Sequence, residues 1–233
     1  MERYLDGLQI SSSSRAGYLS HFHAFYRFAH DEGLVDEIPT ARIARPRRRR
    51  RLPRPTGDAD ITLAIEESAG DLRCFLLLAA YQGLRCQEIA GLEGEDIDRV
   101  QRLLIVRHGK GDKERILPLH PAVEDALADY PTTGLLFRLA DGRPMQPHNV
   151  SHRIRAHFAR LGIASSAHPL RHAFATGFYR LSQDLRLTQE LLGHSSPATT
   201  AIYAGFDPAG ATMMRTLSFG SEAALSDPPD AAA

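Results

Sequence analysis

LRCFLLLAAYQGLRCQEI, residues 72–89, runs from an almost entirely apolar segment directly into a charged one. Residues 72–83 are apolar on all sides of a helix, which predicts a helix buried in a core, and Gly83 is the residue expected at its C-terminal end. Arg85 follows that end directly, and Glu88 lies one helical turn later. A guanidinium beside a buried helix needs an anion or carbonyl oxygens. The stretch therefore predicts a helical core with a charged group at its edge.

The length and composition of the chain indicate an ordinary globular protein. Its 233 residues, 43% of them hydrophobic, suffice for one domain or for one domain with a small addition. There is no apolar run of 18 residues and no signal-peptide pattern at the N-terminus, so we expect a soluble, cytoplasmic protein. Cys74 and Cys86 lie in apolar surroundings without a CxxC spacing. They are expected to be small buried residues rather than a disulfide or zinc ligands.

The net charge is zero, but the basic residues are unevenly distributed. Residues 41–54 carry eight arginines and no acid. This run indicates either a phosphate-binding segment or a solvated linker, and we favour the first because like charges at this density need an anionic partner. The arginines are Arg42, Arg45, Arg47, Arg48, Arg49, Arg50, Arg51 and Arg54.

Lysine is confined to a single turn. Of the 28 basic side chains only Lys110 and Lys113, both in GKGDKE (109–114), are lysines. Arginine keeps its proton near neutral pH, whereas the pKa of a lysine can be tuned toward neutrality. The position of both lysines in this turn therefore indicates proton chemistry there.

The remaining patterns predict a mainly α-helical chain with a small antiparallel sheet. Apolar residues recur with helical spacing after SSSS (11–14), from Tyr18 to Ala29, and the pattern stops at Gly33. The runs LLIVR (103–107) and RILPL (115–119) flank the lysine turn, which favours a hairpin. Five prolines lie where a helix could begin: Pro121, Pro147, Pro169, Pro197 and Pro208.

HPLRHAFAT (168–176) gathers polar groups in the first turn of another expected helix. His168, Arg171 and His172 share this turn. Taken singly, an arginine here would satisfy carbonyl oxygens, and a histidine is more often a hydrogen-bonded structural residue than a catalyst.

LLGHSSPATTAIY (191–203) is the last segment of this kind. It ends a helix at Gly193, leaves His194 just outside it, and begins a short helix that carries Tyr203. A tyrosine alone would be interpreted as a core or surface aromatic. The order and spacing of all these segments together favour a site instead.

In that order and spacing, the segments resemble the tyrosine recombinases, the integrase family that includes phage integrases and chromosome-dimer-resolving recombinases. The resemblance covers about residues 58–217 and, more weakly, 11–54. It rests on GLRCQEIAGLEGEDID, RHGKGDKERILPLH, HPLRHAFAT and LLGHSSPATTAIY. The most specific element is a histidine 23 residues after the arginine of HPLRH, followed nine residues later by a tyrosine.

The resemblance implies site-specific recombination through a 3′-phosphotyrosine and a Holliday junction, without a metal or other cofactor. The implied catalytic residues are Arg85, Lys110, His168, Arg171, His194 and Tyr203. The two arginines would clamp the nonbridging phosphate oxygens, and the lysine would protonate the leaving 5′ oxygen. His168 would act as acid or base, His194 would bond a phosphate oxygen, and Tyr203 would attack. Glu88 and His172 would orient the arginines and the nearby backbone.

The resemblance also divides the chain into segments and gives Lys113 a contact with the DNA backbone. The segments are a partial helical core-binding segment (1–43), an Arg/Pro-rich DNA-contacting linker (44–57), a catalytic domain with a C-terminal exchanging helix (58–217) and a flexible tail (218–233). Only the end of a core-binding domain is expected before the linker. The last helix, with Met213, Met214 and Leu217 as its apolar stripe, either docks on a neighbouring protomer or packs on its own domain.

The implied partners are double-stranded DNA carrying attachment or core sites and further copies of the chain. We expect a homotetramer on DNA, a monomer free in solution, and a location in the bacterial cytoplasm with the nucleoid. A directionality factor or a DNA-bending protein would be an accessory. Ala-Ala-Ala (231–233) resembles tails read by bacterial ATP-dependent proteases, and an ordinary alanine-rich end is the alternative.

A phage or mobile-element integrase is the favoured function. A type IB topoisomerase is the alternative enzyme, because it shares the tyrosine chemistry but relaxes DNA without exchanging partners. A DNA-binding regulator without catalysis is the non-enzymatic alternative. The form of residues 191–203 and the expected exchanging helix favour the recombinase.

Overall fold

The computed structural model of the chain describes residues 2–44, 56–107, 114–193 and 208–219. The chain forms two compact units, Met1–Leu52 and Pro53–Ala233. Their boundary falls within 44–57, the stretch with linker composition. The domain limits of the sequence analysis stay a prediction.

Residues 2–44 of the first unit form two helices, α1 (Glu2–Gly7) and α2 (Ser12–Asp31). The Ser11 hydroxyl oxygen accepts a hydrogen bond from the backbone N–H of Ser14 at 3.1 Å and so caps α2. Gly33, with φ of +69°, follows the end of the helix. The predicted start and stop are confirmed. The expected apolar face is only partly covered within this unit, since Ala29 is buried but Phe25 is 61% exposed.

Within the part of the chain that the structure describes, no helix is long and apolar enough to cross a membrane.

The second unit is organised around a buried helix. The helices among its described residues are α3 (Asp58–Glu66), α4 (Gly70–Tyr81), α5 (Cys86–Ala90), α6 (Pro121–Ala126), α7 (Pro147–Arg160), α8 (Ala167–Ser182), α9 (Leu185–Leu191) and α10 (Pro208–Thr216). Every residue of α4 from Cys74 to Ala80 is buried, because α3, α5, α6, α7 and α8 all pack on this helix. The continuous apolar run permits contact on every face, and the predicted buried helix is confirmed.

A small antiparallel sheet lies beside these helices. Its strands, in the order β1-β2-β3, are β1 (Ile97–Asp98), β2 (Leu103–Val106) and β3 (Arg115–Pro118). Leu104 lies opposite Leu117, and Val106 lies opposite Arg115. All four of these side chains are buried, as strand alternation requires of residues that share the inner face. The predicted hairpin and the mainly helical fold with a small sheet are confirmed, while the hairpin tip, 108–113, lies outside the described residues.

The prolines and cysteines agree with the sequence analysis in most cases. Pro121, Pro147 and Pro208 are each the first residue of a helix, as predicted. The prediction for Pro169 is corrected: it is the third residue of α8 and not the first. It still lies in the first turn, where backbone N–H groups have no intrahelical acceptor and a proline removes no helical hydrogen bond. Pro197 lies outside the described residues.

Cys74 is buried and donates to the Ala126 carbonyl oxygen at 3.4 Å, whereas Cys86 is only half-buried. Neither forms a disulfide. The expectation of a buried thiol is confirmed for Cys74 and corrected for Cys86, which lies in the first turn of the short helix α5.

The C-terminal helix α10 packs on its own unit. Met214 and Leu217 belong to the core, and Leu217 lies so close to α8 that a Cβ on Gly177 would come within 2.9 Å of its Cδ1. The Nε2–H of the buried His120 donates to the Leu217 carbonyl oxygen at 2.9 Å. The apolar stripe is therefore covered within one chain, and its exchange between protomers stays a prediction.

Replacing Gly83 by alanine should destabilise the second unit more than the same change at Gly162. Both glycines have positive φ, +63° and +73°, so each substitution should cost roughly 1–2 kcal/mol from backbone strain. At Gly83 alone the new Cβ would meet the buried Phe174 ring, at 2.5 Å from Cδ1, which adds roughly 1–3 kcal/mol. Urea unfolding of both variants measures the difference. Equal losses would contradict the packing of Phe174 against this turn.

Candidate active site

Glu88 lies at the centre of a cluster of three arginines. Its side chain is 2% exposed, and its carboxylate accepts hydrogen bonds from Arg115 Nη1 and Nη2 at 2.8 and 2.9 Å. It also accepts from Arg85 Nη1 and from the backbone N–H of Arg85, both at 2.8 Å. Arg171 Nη1 lies 3.7 Å from its Oε2. One buried carboxylate therefore holds three guanidinium groups together.

Three separate segments deliver these arginines. Gly83, with φ of +63°, turns the chain sharply after α4, so that Arg85 occupies the N-cap position of α5. The prediction that Arg171 lies in the first turn of its helix is corrected: α8 begins at Ala167, so Arg171 lies in the second turn of this helix, which packs on α4. Arg115 is the first residue of β3. The site thus forms where α5, α8 and the hairpin meet beside the end of α4.

The electrostatics of the cluster keep it charged. Burial alone would raise the pKa of Glu88, but the hydrogen bonds and charge of Arg115, the N–H of Arg85 and the charge of Arg171 hold that pKa at about 2. Burial lowers the pKa of Arg171 to about 9; the charges of Arg85 and Arg115 contribute to this, and Glu88 opposes it. Both groups are charged at neutral pH. These four residues therefore carry two net positive charges.

The same arginines bind the last carbonyl oxygens around the end of α9. Arg115 Nε donates to the Leu191 oxygen at 2.9 Å. Arg171 Nη2 donates to the Leu192 oxygen, and Arg85 Nη2 approaches that oxygen at 3.5 Å. Carbonyl groups at a helix C-terminus lack intrahelical partners. The arginines supply the missing donors and fix the start of the segment that follows.

The three arginines differ in their access to solvent. The side chain of Arg85 is 29% exposed, that of Arg171 is 8% exposed, and that of Arg115 is 4% exposed. Arg171 is further held by a hydrogen bond to the Gly83 carbonyl oxygen. A phosphate at this surface would therefore meet Arg85 most freely, and Arg115 points into the protein.

Two histidines, His168 and His172, lie one turn apart on α8 and are close in sequence to Arg171 of the cluster. The Nε2 atoms of His168 and His172 are 3.0 Å apart, so one imidazole donates and the other accepts. His168 is exposed and His172 is half-buried. This contact gives His172 a neighbouring acid–base group, in addition to its expected support of the arginines and backbone.

Several candidate residues fall outside the described ranges: Lys110, His194, Tyr203, Lys113 and the linker arginines from Arg45 to Arg54. The described chain brings Arg85, Glu88 and Arg171 together in one cluster. It places Arg42, which is exposed, in the first unit. The roles of all these residues stay predictions.

The sequence profile of the phage integrase family matches residues 60–209. The chain belongs to this family. A XerC tyrosine recombinase of Azotobacter vinelandii is 38% identical over 84% of this chain and 71% of its own. The solved integrase of mycobacterium phage Brujita is 31% identical and superimposes with a TM-score of 0.66 over 95% of this chain and 79% of its own. A lambda integrase tetramer bound to a Holliday junction shares the fold, with 24% identity and a TM-score of 0.64 over 84% and 62% of the two chains.

These relatives confirm the predicted enzyme class, a site-specific tyrosine recombinase. Both a Xer recombinase and a phage integrase are among them. Because these relatives are recombinases and integrases, they favour the recombinase interpretation over a topoisomerase and over a non-catalytic DNA-binding regulator.

Arg115 is the site residue that the sequence analysis of this recombinase did not single out. The sequence RILPL (115–119) could have indicated it. Side chains alternate between the two faces of a strand, so Arg115 lies on the same buried face of β3 as Leu117. A charged residue in an inward position of an apolar strand requires a buried partner. Sequence alone does not name that partner, since Glu88 belongs to another segment.

Replacing Glu88 by glutamine should destabilise this recombinase at neutral pH by roughly 3–5 kcal/mol, because three arginines lose their shared anion. The pKa of Glu88 is lower in the folded state than its ordinary 4.5, so its stabilising effect is complete above pH 4.5. That effect is lost as the pH falls toward about 2. The difference in free energy of unfolding between the wild type and the variant should therefore shrink by about 3 kcal/mol as the pH falls from 5 to 2.

Urea unfolding of both proteins at several pH values measures this convergence. Glu66→Gln, at an exposed position on α3, is the matched control and should track the wild type. A constant difference between Glu88→Gln and the wild type across this range would contradict the charged state assigned to Glu88.

Proposed function

We propose that this recombinase cuts and rejoins DNA at a specific site through a covalent bond between Tyr203 and a 3′ phosphate, as the integrase of a phage or another mobile element. The observation that carries the proposal is the clustering of Arg85 and Arg171 around the buried Glu88. It supports a preformed phosphate clamp with excess positive charge. The family membership supports the same chemistry.

Arg85 and Arg171 would bind the two nonbridging oxygens of the scissile phosphate. A planar guanidinium presents paired donors that match phosphate oxygens. Arg171 is immobilised by the Gly83 and Leu192 carbonyl oxygens, which reduces the reorganisation needed when phosphate charge grows in the transition state. Removal of one preorganised donor of this kind typically slows a reaction by roughly 10²–10³.

Proton transfer would be divided among the remaining groups. The Tyr203 phenol, whose ordinary pKa is about 10, must lose its proton as its oxygen attacks phosphorus. His168 would take that proton, and its Nε2 contact with His172 would orient the imidazole. Lys110 would donate a proton to the 5′ oxygen as the P–O5′ bond breaks, and His194 would bond a nonbridging oxygen. The phosphotyrosine conserves the phosphodiester, so a 5′-hydroxyl reverses the reaction without ATP.

The proposed assembly is a tetramer on DNA formed from monomers that are free in solution. Its support is the shared fold of the lambda integrase tetramer on a Holliday junction. The proposed partner is double-stranded DNA containing a core site. A DNA-bending or directionality factor, and a protease that reads residues 231–233, stay predictions of the sequence.

A nicked suicide substrate carrying the candidate attachment core should trap wild-type protein as a covalent adduct. Tyr203→Phe should bind the same DNA and form no adduct, because it lacks the attacking oxygen. The matched control is Tyr179→Phe, on the exposed face of α8, which should trap at the wild-type rate. Denaturing electrophoresis of labelled DNA measures the adduct. An adduct that persists in Tyr203→Phe would refute the assignment of the nucleophile.

Changing the five consecutive residues Arg47–Arg51 to glutamine should flatten the salt dependence of DNA binding. Each phosphate contact that is lost should reduce the slope of log K against log salt by about 0.9. Replacement of the same five residues by lysine keeps their charge and should preserve most of the slope. Fluorescence anisotropy between low and moderate salt measures both variants. An unchanged slope in the glutamine variant would favour the solvated-linker interpretation.

A further inference from the structure

Arg115 uses its guanidinium entirely inside the protein. Its Nη1 and Nη2 donate to the two carboxylate oxygens of Glu88, and its Nε donates to the Leu191 carbonyl oxygen. Only 4% of the side chain is exposed. All three guanidinium nitrogens of Arg115 are engaged inside the protein, and of the three arginines it has the least access to solvent, so we expect its effect on the reaction to act through its neighbours.

The first of these neighbours is Glu88, which also binds Arg85 at 2.8 Å and lies 3.7 Å from Arg171. Without Arg115, the whole charge of this carboxylate would fall on the other two arginines. They would then be held more strongly toward Glu88 and away from an incoming phosphate. Because Arg115 engages both carboxylate oxygens in a bidentate pair, it offsets that charge.

The second neighbour is the end of α9. The Leu191 carbonyl oxygen lies 2.9 Å from Arg115 Nε, and Gly193 has φ of +64° beside the same side chain. A Cβ on Gly193 would come within 3.2 Å of Arg115 Nη1 and 3.3 Å of its Cδ. The chain therefore lies against Arg115 at Gly193, the residue before His194.

The third neighbour is the hairpin. Arg115 begins β3 and pairs with Val106 of β2, so that these residues flank the turn that carries Lys110. The Arg115 side chain thus contacts the element that holds Arg85 and the end of α9, while its backbone forms part of the base of the lysine hairpin.

We propose that Arg115 is a positioning residue for recombination: it neutralises Glu88, which leaves Arg85 and Arg171 available to the phosphate, and it fastens the lysine hairpin to the end of α9. The role rests on the proposed function. It predicts a loss in the rate of strand cleavage at saturating DNA, with little change in the affinity for DNA.

The test compares Arg115→Met, Arg115→Lys and the wild type in single-turnover cleavage of the suicide substrate, with the dissociation constant for DNA measured separately. Arg115→Met should slow cleavage roughly 100-fold, as expected when reacting groups shift by about 1 Å. Arg115→Lys keeps the charge but loses both the bidentate pair with Glu88 and the hydrogen bond to the Leu191 carbonyl oxygen, and should slow cleavage roughly 10-fold. The dissociation constants should stay within about threefold, since Arg115 itself contacts no phosphate in the proposed complex and one weakened phosphate contact changes the total affinity for DNA little.

Arg153→Met is the matched control, because Arg153 pairs with Asp71 at 3.2 Å elsewhere in the same unit. It should cleave at the wild-type rate. Circular dichroism checks the fold of each variant, and if Arg115→Met does not fold, the rate of Arg115→Lys decides.

Cleavage by a folded Arg115 variant within about threefold of the wild type would overturn the positioning role. The positioning role would also be overturned if saturating DNA restored the cleavage rate of the Arg115 variants, or if Arg153→Met lost as much cleavage rate as they do. If wild-type protein forms no adduct that depends on Tyr203, the proposed function fails, and the positioning role fails with it. The wild-type and Tyr203→Phe reactions therefore separate the two failures.

Discussion

The candidate site depends on one interaction, the contact of the buried Glu88 carboxylate with the guanidinium groups around it. Three arginines in one place repel one another, and a buried guanidinium without an anion is costly. Glu88 lowers that cost but does not remove the excess of positive charge, because one carboxylate faces three cations. The remaining charge is what a phosphate would meet. The residue that stabilises the folded cluster thus also leaves it with a net positive charge.

That interaction is possible because of the apolar helix beside it. α4 is buried on every face, so it fixes α5, α7 and α8 against one another. Gly83 then allows the chain to turn within contact of the Phe174 ring and to present Arg85 at the start of α5. Arg171 reaches the same point from α8 and binds the Gly83 carbonyl oxygen. Core packing and site geometry are therefore parts of one arrangement.

Much of this arrangement could be predicted from local sequence. The run of residues 72–83 identifies the buried helix, Gly83 its end, and the spacing of HPLRH the first turns of α8. The pairing of Arg115 with Glu88 could not be predicted, because it joins residues 27 positions apart whose meeting depends on tertiary packing. The predicted burial of Cys86 was also wrong, because its partial exposure depends on which neighbours pack against it, and the apolar character of the flanking sequence carries no information about that.

The packing of α10 on its own chain bears on the proposed exchange of this helix in a DNA-bound tetramer. Met214 and Leu217 are buried within one chain, so an exchanged helix would bury the same stripe on an identical surface of a neighbour. The contact energies of the two states would nearly cancel, as in domain swapping. The balance would then depend on the segment between α9 and α10 and on the effective concentration of protomers. DNA that holds protomers side by side raises that concentration, so assembly on DNA would favour exchange without any new apolar contact.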